Sequence, residues 1–258
     1  MTGGISRRRL SDMKIIAIGN QKGGVGKTTT TINLGAGLAA AGLRVLLVDL
    51  DPQSSLTLAT VGDCEGVSLA EVLTGRPRKR LSDVIRIISP GLDLVPGDLA
   101  LSVAETDLMR SARPLALKTA LAAAANYDVI LIDCPPSLGA LTINALSAAH
   151  GVIIPALPGP LDFRGVRLFL DSLGELSEAN PTLELLGVVL CQYNPRTNLH
   201  REALEALQAA DVSILGVIGR SVKAAESAGV GQAVSDGPLV AQYNEILEKV
   251  IIWLGKTA

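Results

Sequence analysis

Two lysines and a threonine lie in a short glycine-rich segment near the start of the chain. Residues 22–28 read Lys-Gly-Gly-Val-Gly-Lys-Thr. In such a loop, backbone N–H groups and the positive end of a following helix surround phosphate oxygens. Lys27 is placed to reach the β- and γ-phosphates of a nucleoside triphosphate, and the Thr28 hydroxyl is placed to hold Mg²⁺ between them. The residues predicted to bind the nucleotide here are Lys22, Gly23, Gly24, Val25, Gly26, Lys27, Thr28 and Thr29.

Carboxylates follow two apolar segments further along the chain. Residues 129–132 are continuously apolar and lead to Asp133, and residues 45–48 lead to Asp49 and Asp51. Strands that are covered on both faces of a parallel sheet have this pattern, and they deliver the next residue to its carboxyl edge. Asp133 can there orient water around Mg²⁺, as a Walker B aspartate does, or cap a helix. Asp49 and Asp51 share one side of the chain if it stays extended, so one of them should face the nucleotide.

The elements that position these groups alternate along the chain. Strand-like runs lie at residues 14–19, 44–49, 85–88, 92–95, 129–132, 151–155 and 185–190, and helical stretches such as 117–125 and 199–210 separate most of them. This alternation predicts an α/β fold, a mainly parallel twisted sheet with helices on both faces. With the glycine-rich loop at residues 22–28, that fold resembles the P-loop NTPases.

The length of the chain is compatible with one core. It has 258 residues, of which 48% are hydrophobic. We expect a short basic tail at residues 1–13 and a single domain at residues 14–258, because no second domain is needed to bury these side chains. The sequence leaves open whether translation starts at Met1 or Met13.

The three motifs together resemble a known family. A general phosphate loop does not require Lys22, and its presence five residues before Lys27 makes the chain similar to the deviant Walker A ATPases. That group contains the ParA and Soj partition ATPases, MinD and the nitrogenase iron protein. Residues 45–53 and 129–137 also resemble ParA segments, so the likeness covers nearly the whole chain. It implies a Mg²⁺-dependent ATPase whose hydrolysis is slow without a partner.

The resemblance also implies roles for single residues. Asp51 matches the switch I aspartate that orients the attacking water, although Asp51-Pro52 can equally open a turn. Asp49 would interact with Mg²⁺ through water or serve as a structural carboxylate. Thr28, Asp49 and Asp133 are thus the predicted metal-site residues, residues 134–137 form a switch II loop, and Asn194 and Pro195 flank the adenine.

Lys22 has a role between subunits in the resembled family. It crosses a two-fold interface to the partner's phosphates, so that a homodimer encloses two ATP molecules. A charge supplied in this way stabilises the transition state as an arginine finger does. It also couples the nucleotide to dimerisation, since two positively charged loops would otherwise face each other. The alternative is a lysine that points to solvent.

The resemblance further implies an ATP-bound dimer that binds DNA without sequence preference and a ParB-like partner that stimulates hydrolysis. Such a protein is cytoplasmic and nucleoid-associated, and its cargo is a chromosome, plasmid or protein assembly that the sequence does not identify. The net charge of −2 gives no global basic character, so DNA binding needs a local patch. The candidates are Arg196, Arg201, Arg220 and Lys223, each of which could instead be a solvated surface charge. A second basic cluster, Arg76, Arg78, Lys79 and Arg80, fits an exposed turn beside Pro77.

Two other function classes remain open. A MinD-like ATPase would bind membranes through residues 245–256, but the spacing of their apolar side chains favours a helix docked on the core, so we expect no stable membrane anchor. A metabolic enzyme that uses the same loop would need a small-molecule site, for which the sequence offers no candidate residues. Cys64, Cys134 and Cys191 lack metal-ligand spacing, which argues against an iron–sulfur protein.

Overall fold

The two apolar runs that precede the carboxylates form the centre of a sheet. The structure, a computed structural model, describes residues 12–64, 68–75, 79–177, 179–210, 212–221, 232–235 and 237–255. Within these residues the strands are β1 (Lys14–Ile18), β2 (Val45–Asp49), β3 (Arg86–Ser89), β4 (Leu92–Val95), β5 (Val129–Asp133), β6 (Gly151–Ala156), β7 (Glu184–Tyr193) and β8 (Ile214–Gly219). The basic tail predicted at the N-terminus lies outside the described residues as far as residue 11.

Helices connect most of the strands. They are α1 (Lys27–Ala40), α2 (Ser55–Thr60), α3 (Leu69–Thr74), α4 (Leu81–Val84), α5 (Leu101–Arg110), α6 (Ala116–Leu121), α7 (Ala140–Ala148), α8 (Pro160–Ser177), α9 (Asn198–Ala209) and α10 (Pro238–Leu254). The helix predicted at residues 117–125 ends earlier, because a short 3₁₀ turn at Ala122–Ala124 follows α6.

The strand order is β3-β4-β2-β5-β1-β6-β7-β8, and every neighbouring pair is parallel except β3 and β4. The predicted α/β fold with a mainly parallel sheet is therefore confirmed. The register places Asp49 directly beside Asp133, and Asp133 beside Ile18. The ends of β1, β2 and β5 thus bring the phosphate loop and both carboxylates to one edge.

The sheet is buried on both faces, which is why its central strands are apolar throughout. Every residue of β2 and β5 is buried. One core contains alternate strand residues such as Ile15 and Leu46 together with side chains from α3 and α5–α8. The other contains Ile16 and Leu47 together with side chains from α1 and α10.

The last strand, β8, was not among the predicted strands. It lies at the edge of the sheet, and its burial alternates only partly, so its sequence carries a weaker apolar signal than a central strand. Helix α10 packs on β8 and α1, and Gly216 allows the close approach, since an added Cβ would lie 2.3 Å from Ile246. None of the helices in the described part of the chain has the length and apolar character needed to span a membrane.

Candidate nucleotide-binding site

The phosphate loop links the end of β1 to the start of α1. Two of its glycines have left-handed backbone conformations, Gly24 with φ of 73° and Gly26 with φ of 98°. At Gly26 an added Cβ would also lie 3.1 Å from Cys191 Sγ, so both conformation and space favour glycine. Gly26 precedes the 14-residue helix α1, whose positive end therefore points into the loop. This is the geometry of an anion-binding loop.

Lys27 is the buried cation of the loop. Its side chain folds back over the loop, and Nζ donates a hydrogen bond to the Lys22 carbonyl at 3.1 Å. Burial lowers the pKa of Lys27, while the nearby carboxylate of Asp133 opposes that shift. An ammonium that donates here to a neutral carbonyl can transfer that hydrogen bond to a phosphate oxygen.

Thr28 and Asp133 form a pair suited to Mg²⁺. Thr28 Oγ1 donates a hydrogen bond of 2.7 Å to Asp133 Oδ2. The other carboxylate oxygen, Oδ1, is buried and has no hydrogen-bond partner among the described residues. An open carboxylate oxygen beside a hydroxyl is a donor set that Mg²⁺ prefers. Burial raises the pKa of Asp133 to about 8, with a smaller contribution from Asp49, so a cation must compete with a proton.

Asp49 is occupied by hydrogen bonds inside the chain. Its Oδ2 accepts from the backbone N–H and the hydroxyl of Thr57, at 2.8 and 2.7 Å, and its Oδ1 accepts from the Asp51 N–H at 3.2 Å. Burial raises the pKa of Asp49 to about 6. Asp49 therefore connects helix α2 to the backbone of Asp51 and acts on Asp133 through its charge.

Asp51 lies at the start of the loop that follows β2 and is half-buried. Its Oδ1 accepts a hydrogen bond of 2.9 Å from the Gln53 N–H, which is the turn-opening arrangement. Its charge also acts on Lys27 and Asp133. The structure thus brings Asp51 to the phosphate loop while giving it a local turn as well.

Thr57 and Gly97 are parts of this arrangement that sequence reasoning missed. Thr57 Oγ1 accepts a hydrogen bond of 2.9 Å from the Gly97 N–H in addition to its bond to Asp49. An added Cβ at Gly97 would lie 2.6 Å from the Asp49 carbonyl oxygen. No local pattern marks either residue, because their partners are distant in sequence.

Lys22 is neither extended into solvent nor free in this chain. Its Nζ lies 2.8 Å from Asp162 Oδ1 in the first turn of α8. Its backbone N–H donates to Asn20 Oδ1, and Asn20 Nδ2 donates to the carbonyl of Pro155 in β6. Asn20 and Asp162 were also missed by sequence reasoning, and they fix the start of the loop to the β6 side of the sheet.

The residues proposed for the base follow β7. The Asn194 N–H donates to His200 Nδ1 at 3.0 Å, and Asn194 Oδ1 accepts from the Arg196 N–H at 3.0 Å. Pro195 is exposed at the start of this turn. In the sheet, only β6 lies between β1 and β7, and the three strands are parallel, so β7 ends at the same edge as β1.

The candidate DNA-binding arginines lie on the same side. Arg196, Arg201 and Arg220 are exposed, and the Arg220 N–H donates to the carbonyl of Tyr193 at 3.1 Å, which places the backbone of Arg220 beside the end of β7. Lys223 lies outside the described residues, as do Arg76 and Arg78. The remaining cations of that second cluster form local ion pairs, Lys79 with Glu71 and Arg80 with Asp83.

The buried Asp133 should make the nucleotide-free protein less stable as pH rises. Its carboxyl group keeps a proton up to about pH 8 when folded, but only to about pH 4 when unfolded. Between these values the folded chain binds more protons, so the free energy of unfolding decreases with pH. We expect a decrease of roughly 3 to 4 kcal/mol from pH 5 to pH 8 that Asp133→Asn largely removes, measured by urea unfolding. If the free energy of unfolding changes equally with pH in the wild type and in Asp133→Asn, the raised pKa does not belong to Asp133.

Comparison with known proteins gives the following similarities. Residues 13–185 match a family described as AAA domain. The chromosome partitioning protein ParA of Caulobacter vibrioides is 39% identical over 231 residues, which cover 86% of this chain and 86% of that protein. The sporulation initiation inhibitor protein Soj of Bacillus subtilis is 41% identical over 236 residues, which cover 86% of this chain and 90% of Soj.

A solved structure is similar in fold as well as in sequence. Cobyrinic acid a,c-diamide synthase from Mycobacterium smegmatis, with bound ATP analog and magnesium, has a TM-score of 0.78 and 38% sequence identity. The match covers 93% of this chain and 94% of that one.

Proposed function

Because this chain belongs to the ParA/Soj group of P-loop ATPases within the AAA domain family, we propose that it is a partition ATPase. In this proposal ATP and Mg²⁺ drive formation of a homodimer that binds DNA without sequence preference. A ParB-like partner stimulates hydrolysis and thereby releases the dimer locally. The cargo, whether chromosome, plasmid or protein assembly, moves with this cycle on the nucleoid.

The geometry of the loop supports ATP and Mg²⁺ as ligands. A protein of similar sequence and fold contains an ATP analog and magnesium. Here Thr28 Oγ1 and the open Asp133 Oδ1 would hold the metal ion. When bound, Mg²⁺ neutralises charge on the phosphate oxygens. The loop N–H groups and Lys27 would hold the phosphates, and the residues assigned to this contact are Lys22, Gly23, Gly24, Val25, Gly26, Lys27, Thr28 and Thr29.

Asp51 is the residue we assign to orienting the attacking water. It is half-buried, and its charge reaches Lys27. Asp49 positions it, since the Asp49 carboxylate accepts the Asp51 N–H and is itself fixed by Thr57. Asn194 and Pro195 would flank the adenine from the end of β7, with His200 holding the Asn194 backbone.

Lys22 would act across the dimer interface. Its side chain is 47% exposed, whereas Lys27 of the same loop is buried, so Lys22 could reach beyond its own subunit once it leaves Asp162. An ammonium brought to the partner's phosphates would stabilise the charge that develops in hydrolysis. Through this link ATP shifts the population from monomer to DNA-bound dimer, and the rate of hydrolysis sets how long the dimer lasts.

The exposed arginines beyond β7 and β8 would supply DNA binding. The exposed residues Arg196, Arg201 and Arg220 would supply the positive charge. Lys223, three residues after Arg220 in the sequence, would add a further charge. Contacts from such side chains to DNA phosphates give affinity without reading the sequence. An overall charge of −2 is compatible with this, because only the local charge at the contact matters.

The observation that carries the proposal is the combination of Lys22 and Thr28 in one loop with Asp133, which pairs with Thr28 from the end of β5. The test is a gel shift of Asp51→Ala protein with non-specific duplex DNA, comparing ATP–Mg²⁺ with ADP at two salt concentrations. We expect DNA binding with ATP–Mg²⁺ but not with ADP. The DNA affinity should fall steeply as the salt concentration increases, since contacts with DNA phosphates release counterions. The double variant Lys22→Ala, Asp51→Ala is the matched control and should remain monomeric and unbound. Absence of binding with both nucleotides would reject the mechanism.

A second candidate is carboxylate activation, favoured by the likeness to a cobyrinic acid a,c-diamide synthase. It predicts that cobyrinic acid, and not DNA, raises the rate of ATP hydrolysis. A membrane-cycling function has less support, because the apolar side of α10 is used in the core. The buried residues of that helix are Leu239, Tyr243, Ile246, Val250 and Leu254.

A further inference from the structure

The Lys22 side chain is held within its own chain by a buried carboxylate. Its ammonium forms an ion pair with Asp162 Oδ1 at 2.8 Å, and among the described residues that buried oxygen accepts no hydrogen bond. The side chain of Lys22 is 47% exposed and that of Asp162 is 8% exposed. The lysine can therefore swing into solvent, whereas the carboxylate must stay where it is.

Asp162 is fixed by the packing of α8 against the phosphate loop. Phe169 of α8 is fully buried beneath Gly19, where an added Cβ would lie 2.7 Å from its ring. The Asp162 N–H donates to the Gly159 carbonyl at 3.0 Å. An added Cβ at Gly159 would lie 2.9 Å from Asp162 Oδ2, so glycine leaves room for the carboxylate. These contacts hold Asp162 in one place beside Lys22.

Lys22 is also connected to the residue that reaches the phosphates. Lys27 Nζ donates to the Lys22 carbonyl at 3.1 Å. A phosphate that captures the Lys27 ammonium takes this hydrogen bond away from Lys22. Phosphate binding therefore removes one of the contacts that hold Lys22, while the contact with Asp162 remains.

We propose that Asp162 is a positioning residue that retains Lys22 in the monomer and sets the ATP concentration at which the dimer forms. This inference rests on the proposed role of Lys22 across the interface. When Lys22 leaves, Asp162 stays buried without its cation, which opposes dimerisation. The phosphates of the partner's ATP offset that cost, because they accept strong hydrogen bonds from the same ammonium. Without ATP no interaction offsets the cost of leaving Asp162 without its cation, so the Lys22–Asp162 pair suppresses nucleotide-free dimers.

The first test is the ATP concentration at half-maximal dimerisation, measured by sedimentation velocity. Asp162→Asn keeps the shape of the side chain and removes its charge. We expect its half-maximal ATP concentration to be about five-fold lower than in the wild type, a modest shift because Lys22 is partly exposed. Asp171→Asn is the matched control, since Asp171 is an exposed carboxylate of the same helix, and it should behave as the wild type.

A second measurement tests the contact itself in the nucleotide-free protein. Lysine side chains are acylated with limiting reagent, and the modification of Lys22 is quantified by mass spectrometry relative to exposed Lys118. Asp162→Asn should increase the acylation rate of Lys22 about three-fold or more, because the ammonium is no longer held. Thermal unfolding of each variant shows whether it is folded, and Asp171→Asn should leave the ratio unchanged.

The outcomes separate this inference from the proposed function. If the wild type does not dimerise with ATP, the proposed function fails. If Asp162→Asn leaves the acylation rate of Lys22 unchanged, the inference fails independently of the proposed function. If the wild type dimerises and Asp162→Asn needs the same ATP concentration, Asp162 does not restrain Lys22. If Asp162→Asn needs more ATP, the carboxylate directs Lys22 toward the partner, which is the opposite of the role proposed here.

Discussion

Lys27→Ala is expected to weaken ATP binding by about 100-fold or more, measured by isothermal titration calorimetry with ATP and Mg²⁺. Lys27 is the one loop side chain that combines burial with a positive charge in the described part of the site, and its ammonium already lies near Asp133. Phosphate oxygens gain a charge-assisted hydrogen bond from it in a site that water screens poorly. Its removal leaves the phosphates with the loop N–H groups and the exposed Lys22.

The matched control for this variant is Lys118→Ala, which removes an exposed lysine from α6. It should bind ATP as the wild type does. Thermal unfolding must show that Lys27→Ala is folded, since a buried residue is being replaced. ATP affinity within about three-fold of the wild type in folded Lys27→Ala protein would mean that the triphosphate lies elsewhere.

Asp51→Ala is expected to lower the rate of ATP hydrolysis by about 100-fold while leaving ATP affinity close to that of the wild type. Asp51 acts through its charge on Lys27 and Asp133, while its Oδ1 accepts the Gln53 N–H and not a donor of the phosphate loop, so it is placed for the reaction and not for binding. With hydrolysis blocked, the ATP-bound dimer should accumulate. Single-turnover phosphate release and sedimentation of the same sample measure both effects.

Asp63→Ala is a suitable control, because Asp63 is an exposed carboxylate shortly after α2. It should hydrolyse ATP at the wild-type rate. The competing interpretation of Asp51 is the turn in which its Oδ1 accepts the Gln53 N–H. Asp51→Asn retains an acceptor for that turn, so normal hydrolysis in Asp51→Asn together with slow hydrolysis in Asp51→Ala would favour the structural role.

The sequence alone was sufficient for the loop and for the fold class. Residues 22–28 need only local glycines, a lysine and a hydroxyl, all of which are adjacent in the chain. Strands β2 and β5 could be predicted because burial on both faces demands continuous apolar residues. Parallel order then places the residues after each strand at one edge of the sheet, whereas the adjacency of Asp49 and Asp133 depends on the pairing of β2 with β5 in the structure.

Tertiary structure decided which partners these residues have. Asp49 contacts Thr57, which is 8 residues away, and Thr57 contacts Gly97, which is 40 residues away, and no local pattern marks either contact. Asp162 reaches Lys22 only because β6 lies beside β1 and α8 then packs under the loop. A side chain's hydrogen bonds and charge partners depend on which elements become neighbours in the sheet. Periodicity reports the burial of each element separately, so it indicated where the strands end but not the contacts that position the side chains there.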